Sequence, residues 1–175
     1  MIAAASRPRI LVAYYSRSGN TEQVARALAA ELGADLERIV DRTDRRGVLG
    51  YLRAGRDAIR RRGTEIAPPS TDPPRYDLLL IGTPVWGRSV TPAVRTYLAR
   101  YADALPDTAL LLPSGGSGAE RVFAQLTALC GRLPLAALAI REHELRTDRW
   151  ERRVHTFAAE VAALAARTAA RAAAG

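Results

Sequence analysis

Apolar runs in this chain alternate with short turns of glycine and hydroxyl residues and with amphipathic segments. The runs cover residues 9–15, 34–40, 76–81, 108–112 and 135–140. Continuous apolar runs of this length are typical of strands buried on both faces of a parallel sheet. Parallel strands need helical crossovers, so the alternation predicts an α/β fold with five strands and helices on both faces. Residues 76–81 form the most apolar run and are expected to be the central strand, whereas residues 34–40 alternate loosely and are expected near an edge.

The segments between the strands have the spacing and the end signals of helices. Gly33, Gly63 and Gly131 are expected to end three of them, and Thr91-Pro92 is expected to begin another. Four prolines within residues 64–75 predict an irregular surface loop. The expected apolar seams are Val24, Ala25, Leu28 and Leu32; Val48, Leu52, Gly55 and Ile59; Val94, Tyr97, Leu98 and Tyr101; Val122, Phe123, Leu126 and Leu129; and Val154, Phe157, Val161 and Leu164 in a terminal helix over residues 150–171.

Length and composition exclude several classes of protein. At 175 residues, the chain is expected to form a single domain over residues 1–175. It has one cysteine and two histidines, too few for a disulfide or a metal centre of these residues, and no apolar run approaches a membrane span. The formal net charge is +8 and all 26 basic residues are arginine, yet no aromatic residues are interleaved with them as in single-strand nucleic-acid binders. We therefore expect a cytoplasmic protein that binds no nucleic acid.

The turn after the first strand has the composition of an anion site. Ser16-Arg17-Ser18-Gly19-Asn20-Thr21 joins the strand to the start of an amphipathic helix. Backbone N–H groups at a helix start and the positive end of the helix dipole attract phosphate, and the hydroxyl groups add donors. The turn has no lysine and no G-x-G-x-x-G pattern, which excludes the two common nucleotide loops. The alternative interpretation is an ordinary polar turn with a capping Ser or Thr.

Two further loops follow strand ends, and the three loops together resemble those of the flavodoxin family. The second loop contains Thr83, Pro84, Val85, Trp86 and Gly87, and the third runs from Ser114 through Gly118. The resemblance implies a three-layer sandwich with strand order 2-1-3-4-5 and FMN at the carboxyl ends of the strands. It also implies that residues of the first loop hold the FMN phosphate, that Trp86 covers the flavin ring with Gly87 facing flavin N5, and that the third loop lines the pyrimidine edge. The implied cofactor-binding residues are Ser16, Arg17, Ser18, Gly19, Asn20, Thr21, Thr83, Pro84, Val85, Trp86, Gly87, Ser114, Gly115, Gly116 and Gly118.

The chain also departs from the flavodoxin pattern. Its third loop lacks the aromatic residue that many flavodoxins stack on the outer flavin face, which suggests that one face of the flavin is open. It is basic, whereas carrier flavodoxins are typically acidic. For Trp86 the alternative role is a core anchor that fixes its loop, and for the glycines of the third loop it is a flexible turn. Tyr14 and Tyr15 are expected to pack in the core rather than to contact flavin.

The resemblance implies an FMN-dependent oxidoreductase that passes electrons or hydride through flavin N5 to a small acceptor such as a quinone. NAD(P)H or a reductase protein would be its electron donor, and no catalytic side chain or metal is required because the flavin carries the chemistry. The first alternative is a one-electron carrier that docks to protein partners. The second is a flavodoxin-fold protein without flavin, which the intact first loop disfavours.

Residues 38–62 contain nine arginines and three acidic residues. Since the apolar seam of this segment accounts for its core contacts, several arginines would project to solvent. The segment is either a solvated helix face in an arginine-rich chain or a docking patch for an anionic donor or partner.

Overall fold

The structure, a computed structural model, describes residues 7–42, 63–147 and 149–174, and within them it forms one five-stranded parallel sheet. The strands are β1 (Ile10–Tyr14), β2 (Asp35–Arg38), β3 (Leu78–Gly82), β4 (Asp107–Ser114) and β5 (Ala136–Arg141). Their order is β2-β1-β3-β4-β5, and every neighbouring pair is parallel. The expected strand order and the central position of β3 are confirmed.

Helices cover both faces of this sheet in the described part of the chain. They are α1 (Asn20–Leu32), α2 (Pro92–Arg100), α3 (Ala119–Cys130) and α4 (Arg149–Ala174). Apolar residues of α1 and α4 pack on one face, and those of α2 and α3 pack on the other. The described helices include none with the length and apolarity that a membrane crossing requires. The expected seam over Val48–Ile59 and most of the arginine-rich segment lie in residues 43–62, outside the described residues.

Burial explains why β1 and β3 are continuous apolar runs while β5 alternates. Every residue of β1 and β3 is buried, because their side chains enter the core on both faces of the sheet. In β5, Leu138 and Ile140 are buried under α4, whereas Ala137, Ala139 and Arg141 are exposed. No β5 side chain joins the core that α2 and α3 cover. The outer strand therefore has one covered and one open face.

Strand β4 is longer than the sequence predicts, since it continues beyond residue 112 through Pro113 and Ser114. Leu111 O accepts a hydrogen bond from Thr83 N on the β3 side, and Ser114 O accepts one from Glu142 N on the β5 side. Backbone groups of a strand point alternately to its two neighbours, so the nitrogen of Pro113, which carries no hydrogen, faces β3. Because β3 ends at Gly82, opposite Leu111, no ladder bond is lost there.

Other differences from the expected elements are small. The proline-rich loop is not wholly irregular, because Pro73–Arg75 forms a single 3₁₀ turn. Tyr101 lies just past the end of α2 rather than within its seam. On α3 the third fully packed side chain is Cys130, while Phe123 and Leu129 are only partly buried. On α4, Ala165 is fully buried where the sequence analysis expected Leu164.

Candidate functional site

The three predicted loops leave β1, β3 and β4 at the same edge of the sheet, because the strands are parallel. Hydrogen bonds join the loop starts, from Tyr15 N to Gly82 O and from Thr83 N to Leu111 O, each 3.0 Å long. A Cβ atom on Gly82 would lie 3.2 Å from Cγ2 of Thr21, which shows how closely the first loop packs against the end of β3. The topology thus brings the residues of all three motifs to one site at the carboxyl edge.

The first loop leads into α1 without a side-chain cap. Ser16 is buried and its Oγ accepts a hydrogen bond of 3.1 Å from Gly19 N, which closes the turn. Gly19 is the N-cap residue and has φ +95°, a left-handed conformation that favours glycine. Because no side chain caps α1, its first N–H groups have neither an intrahelical acceptor nor a side-chain acceptor. The alternative of a polar turn whose Ser or Thr caps the helix is therefore wrong in the cap, while Ser16 does close the turn.

The positions of the other first-loop residues divide into two groups. Thr21 is buried, with 2% of its surface exposed, and Asn20 is half-buried. Arg17, Ser18 and Gly19 are exposed. The exposed part of the turn therefore consists of residues 17–19, and the backbone N–H groups and hydroxyl of such a segment are donors that suit an anion.

Glu22, the acidic residue of the first turn of α1, is paired with two arginines. Its Oε1 lies 2.8 Å from Nη2 of Arg26, and its Oε2 lies 3.7 Å from Nη1 of Arg38. The hydrogen bond from Arg26, with Arg38 as a further positive charge, holds the pKa of Glu22 below its usual value. The carboxylate stays ionised, and the arginines compensate its charge next to the candidate anion site.

The second loop contains a two-residue hairpin that begins at Trp86. Trp86 and Ser89 exchange backbone hydrogen bonds of 3.2 and 2.9 Å. Gly87 and Arg88 between them have φ +53° and +58°, the pair of positive angles that a type I′ turn requires. Arg88 is the single non-glycine residue with positive φ in the described part of the chain. A side chain held in this conformation costs free energy and is found where the surroundings fix the loop.

Trp86 packs against the core but is not fully covered by it. Its ring is half-buried and makes an edge-to-face contact with Tyr15, with centroids 5.4 Å apart and an interplanar angle of 86°. Tyr14 and Tyr15 are both buried, as the sequence analysis predicted. The structure thus gives Trp86 a packing partner in the core and also leaves part of its ring exposed.

Gln125 of α3 fixes the second loop, and the sequence analysis missed it. Its side-chain oxygen accepts hydrogen bonds from Ser89 Oγ at 2.9 Å, Val90 N at 3.3 Å and Arg95 Nη2 at 3.1 Å. Its side-chain nitrogen donates to Arg88 O at 3.1 Å. In the sequence, Gln125 is recognisable only as a polar residue next to Leu126 on the buried side of α3. Nothing in the sequence indicates which groups it binds.

The same loop is closed at its base by two buried hydroxyl groups. Oγ1 of Thr83 lies 3.1 Å from Oγ1 of Thr91, and both residues are fully buried. The Thr83 hydroxyl also donates to Pro84 O, at 3.1 Å. Pro84 and Val85 are half-buried, and Gly87 is exposed at the tip. The hydroxyl of Thr83, one of the predicted site residues of this loop, is therefore hydrogen-bonded within the protein.

The third loop combines exposed glycines with a close contact to the second loop. Ser114 is buried and its hydroxyl donates to Gly116 O at 3.3 Å, whereas Gly115 and Gly116 are exposed. Gly118 is the N-cap residue of α3 with φ +116°, and a Cβ there would lie 2.8 Å from Cγ of Arg88. Glycine is required at 118 both by the backbone angle and by the Arg88 side chain that lies across it.

Solved structures with this fold include several flavoproteins. The flavoprotein of Lactobacillus acidophilus NCFM in complex with FMN is 22% identical, has a TM-score of 0.65, and is matched over 82% of this chain and 98% of its own. A protein of Bacteroides eggerthii DSM 20697 classed as a flavoprotein is 21% identical, has a TM-score of 0.67, and is matched over 86% and 95%. The flavodoxin of Streptococcus pneumoniae TIGR4 is 16% identical, has a TM-score of 0.53, and is matched over 88% and 97%. At these identities the likeness shows a shared fold.

The amino-acid sequence is stronger evidence of relationship than the shared fold. No curated protein matches this chain at a significant level. The sequence model of the flavodoxin family, in contrast, matches residues 9–156, from the start of β1 into α4. The match includes all five strands and all three loops at the carboxyl edge. This chain belongs to the flavodoxin family.

Proposed function

We propose that this protein binds FMN at the carboxyl edge of its sheet and acts as an FMN-dependent oxidoreductase. The observation that carries the proposal is the uncapped start of α1, where the N–H groups of the first residues after Gly19 have no side-chain acceptor, at the end of the helix that attracts anions. The arginines paired with Glu22 compensate a negative charge that would otherwise oppose a phosphate. The site fits a dianionic phosphate group.

The second and third loops fit the other end of FMN, which is a flat apolar ring with polar edges. The exposed part of Trp86 offers an aromatic surface, held by Tyr15 behind it and by the hydrogen bonds of Gln125 to its loop. The exposed backbone of Gly115 and Gly116 leaves room for close approach. When bound, FMN would supply the redox chemistry, and these residues would position its ring and shield it from water.

An enzyme is favoured over a carrier because the third loop has no aromatic residue between Ser114 and Gly118. One face of the ring would then be accessible to a small acceptor such as a quinone. The electron donor would be NAD(P)H or a reductase protein.

The decisive experiment identifies the flavin and its donor. The purified full-length chain is loaded with flavin and heated, and chromatography of the released cofactor is expected to give FMN. Recovery of FAD, or a colourless protein that FMN does not restore, contradicts the proposal. The FMN-loaded protein is then mixed anaerobically with NADH or NADPH while the flavin absorbance is followed. Loss of absorbance that returns on adding a quinone supports the enzyme; reduction by a reductase protein alone supports the carrier.

A further inference from the structure

A cavity of about 860 Å³ lies beside the third loop, on the β5 side of the carboxyl edge. Small residues form much of its wall, among them Gly116, Gly118, Ala119 and Ala139. The cavity exists because the open face of β5 is not covered by α3, whose buried side chains pack toward the other strands. Its volume is in the range of small-molecule sites, which is typically about 300–1,000 Å³.

Four arginines from four different elements line this cavity. They belong to Arg88 of the second loop, Arg121 of α3, Arg141 of β5 and Arg153 of α4. Sequence neighbours do not explain this convergence, since the four residues are brought together by the fold. Arginines that surround a cavity recognise phosphate and carboxylate groups, because the guanidinium fork matches two oxygens at once.

The negative charges of the wall do not neutralise these arginines. Two glutamates line the cavity, Glu120 and Glu144, so four arginines leave a net charge of +2 with His143 neutral. Glu144 is already engaged, with Oε1 and Oε2 2.9 and 3.0 Å from Nη1 of Arg153. Among the described residues, Arg88, Arg121 and Arg141 form no ion pair with a carboxylate.

Arg88 connects this cavity to the candidate flavin site. Its backbone is held by Gln125, and its guanidinium lies 3.5 Å from Oγ of Ser117 in the third loop. Ser114, Gly116 and Gly118 line the cavity and also belong to the loop expected at the pyrimidine edge of FMN. A molecule in the cavity would therefore sit directly against the flavin-binding loop.

We propose that this cavity binds a small molecule carrying two or more phosphate or carboxylate groups, separate from FMN itself. Because the arginines lie on several walls of the cavity, one anionic group cannot pair with all of them. The further role of this molecule, as the reaction partner of the flavin, rests on the proposed function.

The binding step is tested directly with inorganic pyrophosphate and with citrate. Each anion is titrated calorimetrically at low ionic strength into the full chain saturated with FMN. We expect one binding site, with an affinity that falls as salt is added because the attraction is screened. The comparison of pyrophosphate with citrate shows whether phosphate or carboxylate groups are preferred.

Matched charge variants distinguish the cavity from the general positive charge of the chain. Arg121→Gln and Arg141→Gln are each expected to weaken binding at least tenfold. Glu144→Gln is expected to strengthen it, because it removes a negative charge and releases Arg153. Arg167→Gln, an exposed position of α4 outside the cavity, removes the same charge and is expected to leave the affinity unchanged.

Two results would overturn the proposal. Equal weakening by all three arginine variants would show that only net charge matters, and competition between the anion and FMN would assign the cavity to the flavin itself. If the chain binds no FMN but still binds pyrophosphate in a manner that depends on Arg121 and Arg141, the proposed function fails and the anion site stands. Melting temperatures of the variants confirm that each is folded.

Discussion

The first and second loops lie side by side, yet they are held in different ways. The first is fixed by local contacts, since the bond from Gly19 N to Ser16 Oγ spans three residues and α1 begins at the next position. The second depends on Gln125, which lies 35 to 37 positions along the chain from the groups it holds. Local sequence therefore specifies the first loop, while the tertiary fold specifies the second.

The two loops would contact opposite ends of the proposed ligand, FMN. The first loop would bind phosphate through charge and backbone N–H groups, and the second would bind the ring through aromatic contact. Riboflavin has the ring of FMN but no phosphate, so comparing the two flavins measures each loop separately.

The largest effect is expected from Ser18→Glu. Ser18 is exposed on the open side of the first loop, and a carboxylate there would face the phosphate dianion. We expect FMN affinity to fall by about 100-fold or more, roughly the 3 kcal/mol of a close like-charge contact in a partly desolvated site. Riboflavin affinity should be unchanged. Fluorescence titration measures both.

Ser18→Gln is the control for this substitution, because it adds similar volume without charge. It is expected to retain FMN affinity within about tenfold, the cost of about one hydrogen bond. If Gln and Glu weaken FMN equally, the effect is steric and the anion site is not supported. A parallel loss of riboflavin would show that the substitution disturbs more than the first loop.

Trp86→Ala is expected to weaken both flavins by about 1–3 kcal/mol, a loss of aromatic stacking. It should also lower the melting temperature slightly, because the contact with Tyr15 is removed. Trp86→Phe keeps an aromatic surface and should retain most of the affinity. A lower melting temperature with unchanged flavin affinity would instead support the interpretation of Trp86 as a core anchor.

Gln125→Leu is expected to lower flavin affinity by about 1 kcal/mol and the free energy of unfolding by about 2 kcal/mol. The substitution leaves the partly buried Val90 N without its acceptor, and an unpaired polar group of this kind costs about 1–3 kcal/mol. It also removes the hydrogen bond to the exposed Arg88 O. Both flavins should be affected equally, since the second loop is proposed to contact the ring that they share. Thermal melts and flavin titrations measure the two quantities.

Gln23→Leu provides a matched control on α1, because Gln23 is exposed and lies at the helix that follows the first loop. It should change neither the melting temperature nor the binding of riboflavin. A selective loss of FMN binding in Gln125→Leu, with riboflavin spared, would show that the two loops are not independent.

The smallest effect concerns pH. The pKa of Glu22 is lowered chiefly by its hydrogen bond with Arg26, so the ionised carboxylate stabilises the fold above its ordinary pKa of 4.5. This contribution is lost as the pH falls through the lowered pKa. The melting temperatures of the unaltered protein and Glu22→Gln should therefore differ at neutral pH and converge in acid.

The deficit of Gln125→Leu should persist across the same pH range, because an amide does not titrate. Melts from pH 7 to pH 3 compare the two variants. A Gln125→Leu deficit that also disappeared in acid would indicate that the second loop depends on charge.

The sequence predicted the sheet well because each strand has a local signature. The apolar runs of β1 and β3 identify strands buried on both faces, and the turn after β1 identifies the first loop. The strand order was predicted from the resemblance to the flavodoxin family and not from the pattern of the residues. Pro113 shows the limit of local rules, since its place in β4 depends on where the neighbouring strand ends.

The remaining parts of the site depend on distant contacts. Nothing adjacent to Gln125 in the sequence indicates that it bonds to the loop of Trp86. The convergence of Arg88, Arg121 and Arg141 on one cavity likewise requires the three-dimensional fold. A single sequence cannot reveal such pairings, because composition and spacing report only on neighbours.

The outer edge of β5 has a consequence for solubility. Free strand edges can pair with other chains and so start aggregation, and the alanines of β5 supply little bulk to prevent it. Two outward backbone groups are nevertheless occupied: Ala139 O accepts from Arg153 Nη2 at 2.7 Å, and Arg141 N donates to Glu144 Oε2 at 2.7 Å. Arg153 and Glu144 also form an ion pair with each other. Together they occupy backbone groups of β5 with which an added strand would have to pair. Arg153 and Glu144 therefore protect the sheet from edge-to-edge association between chains.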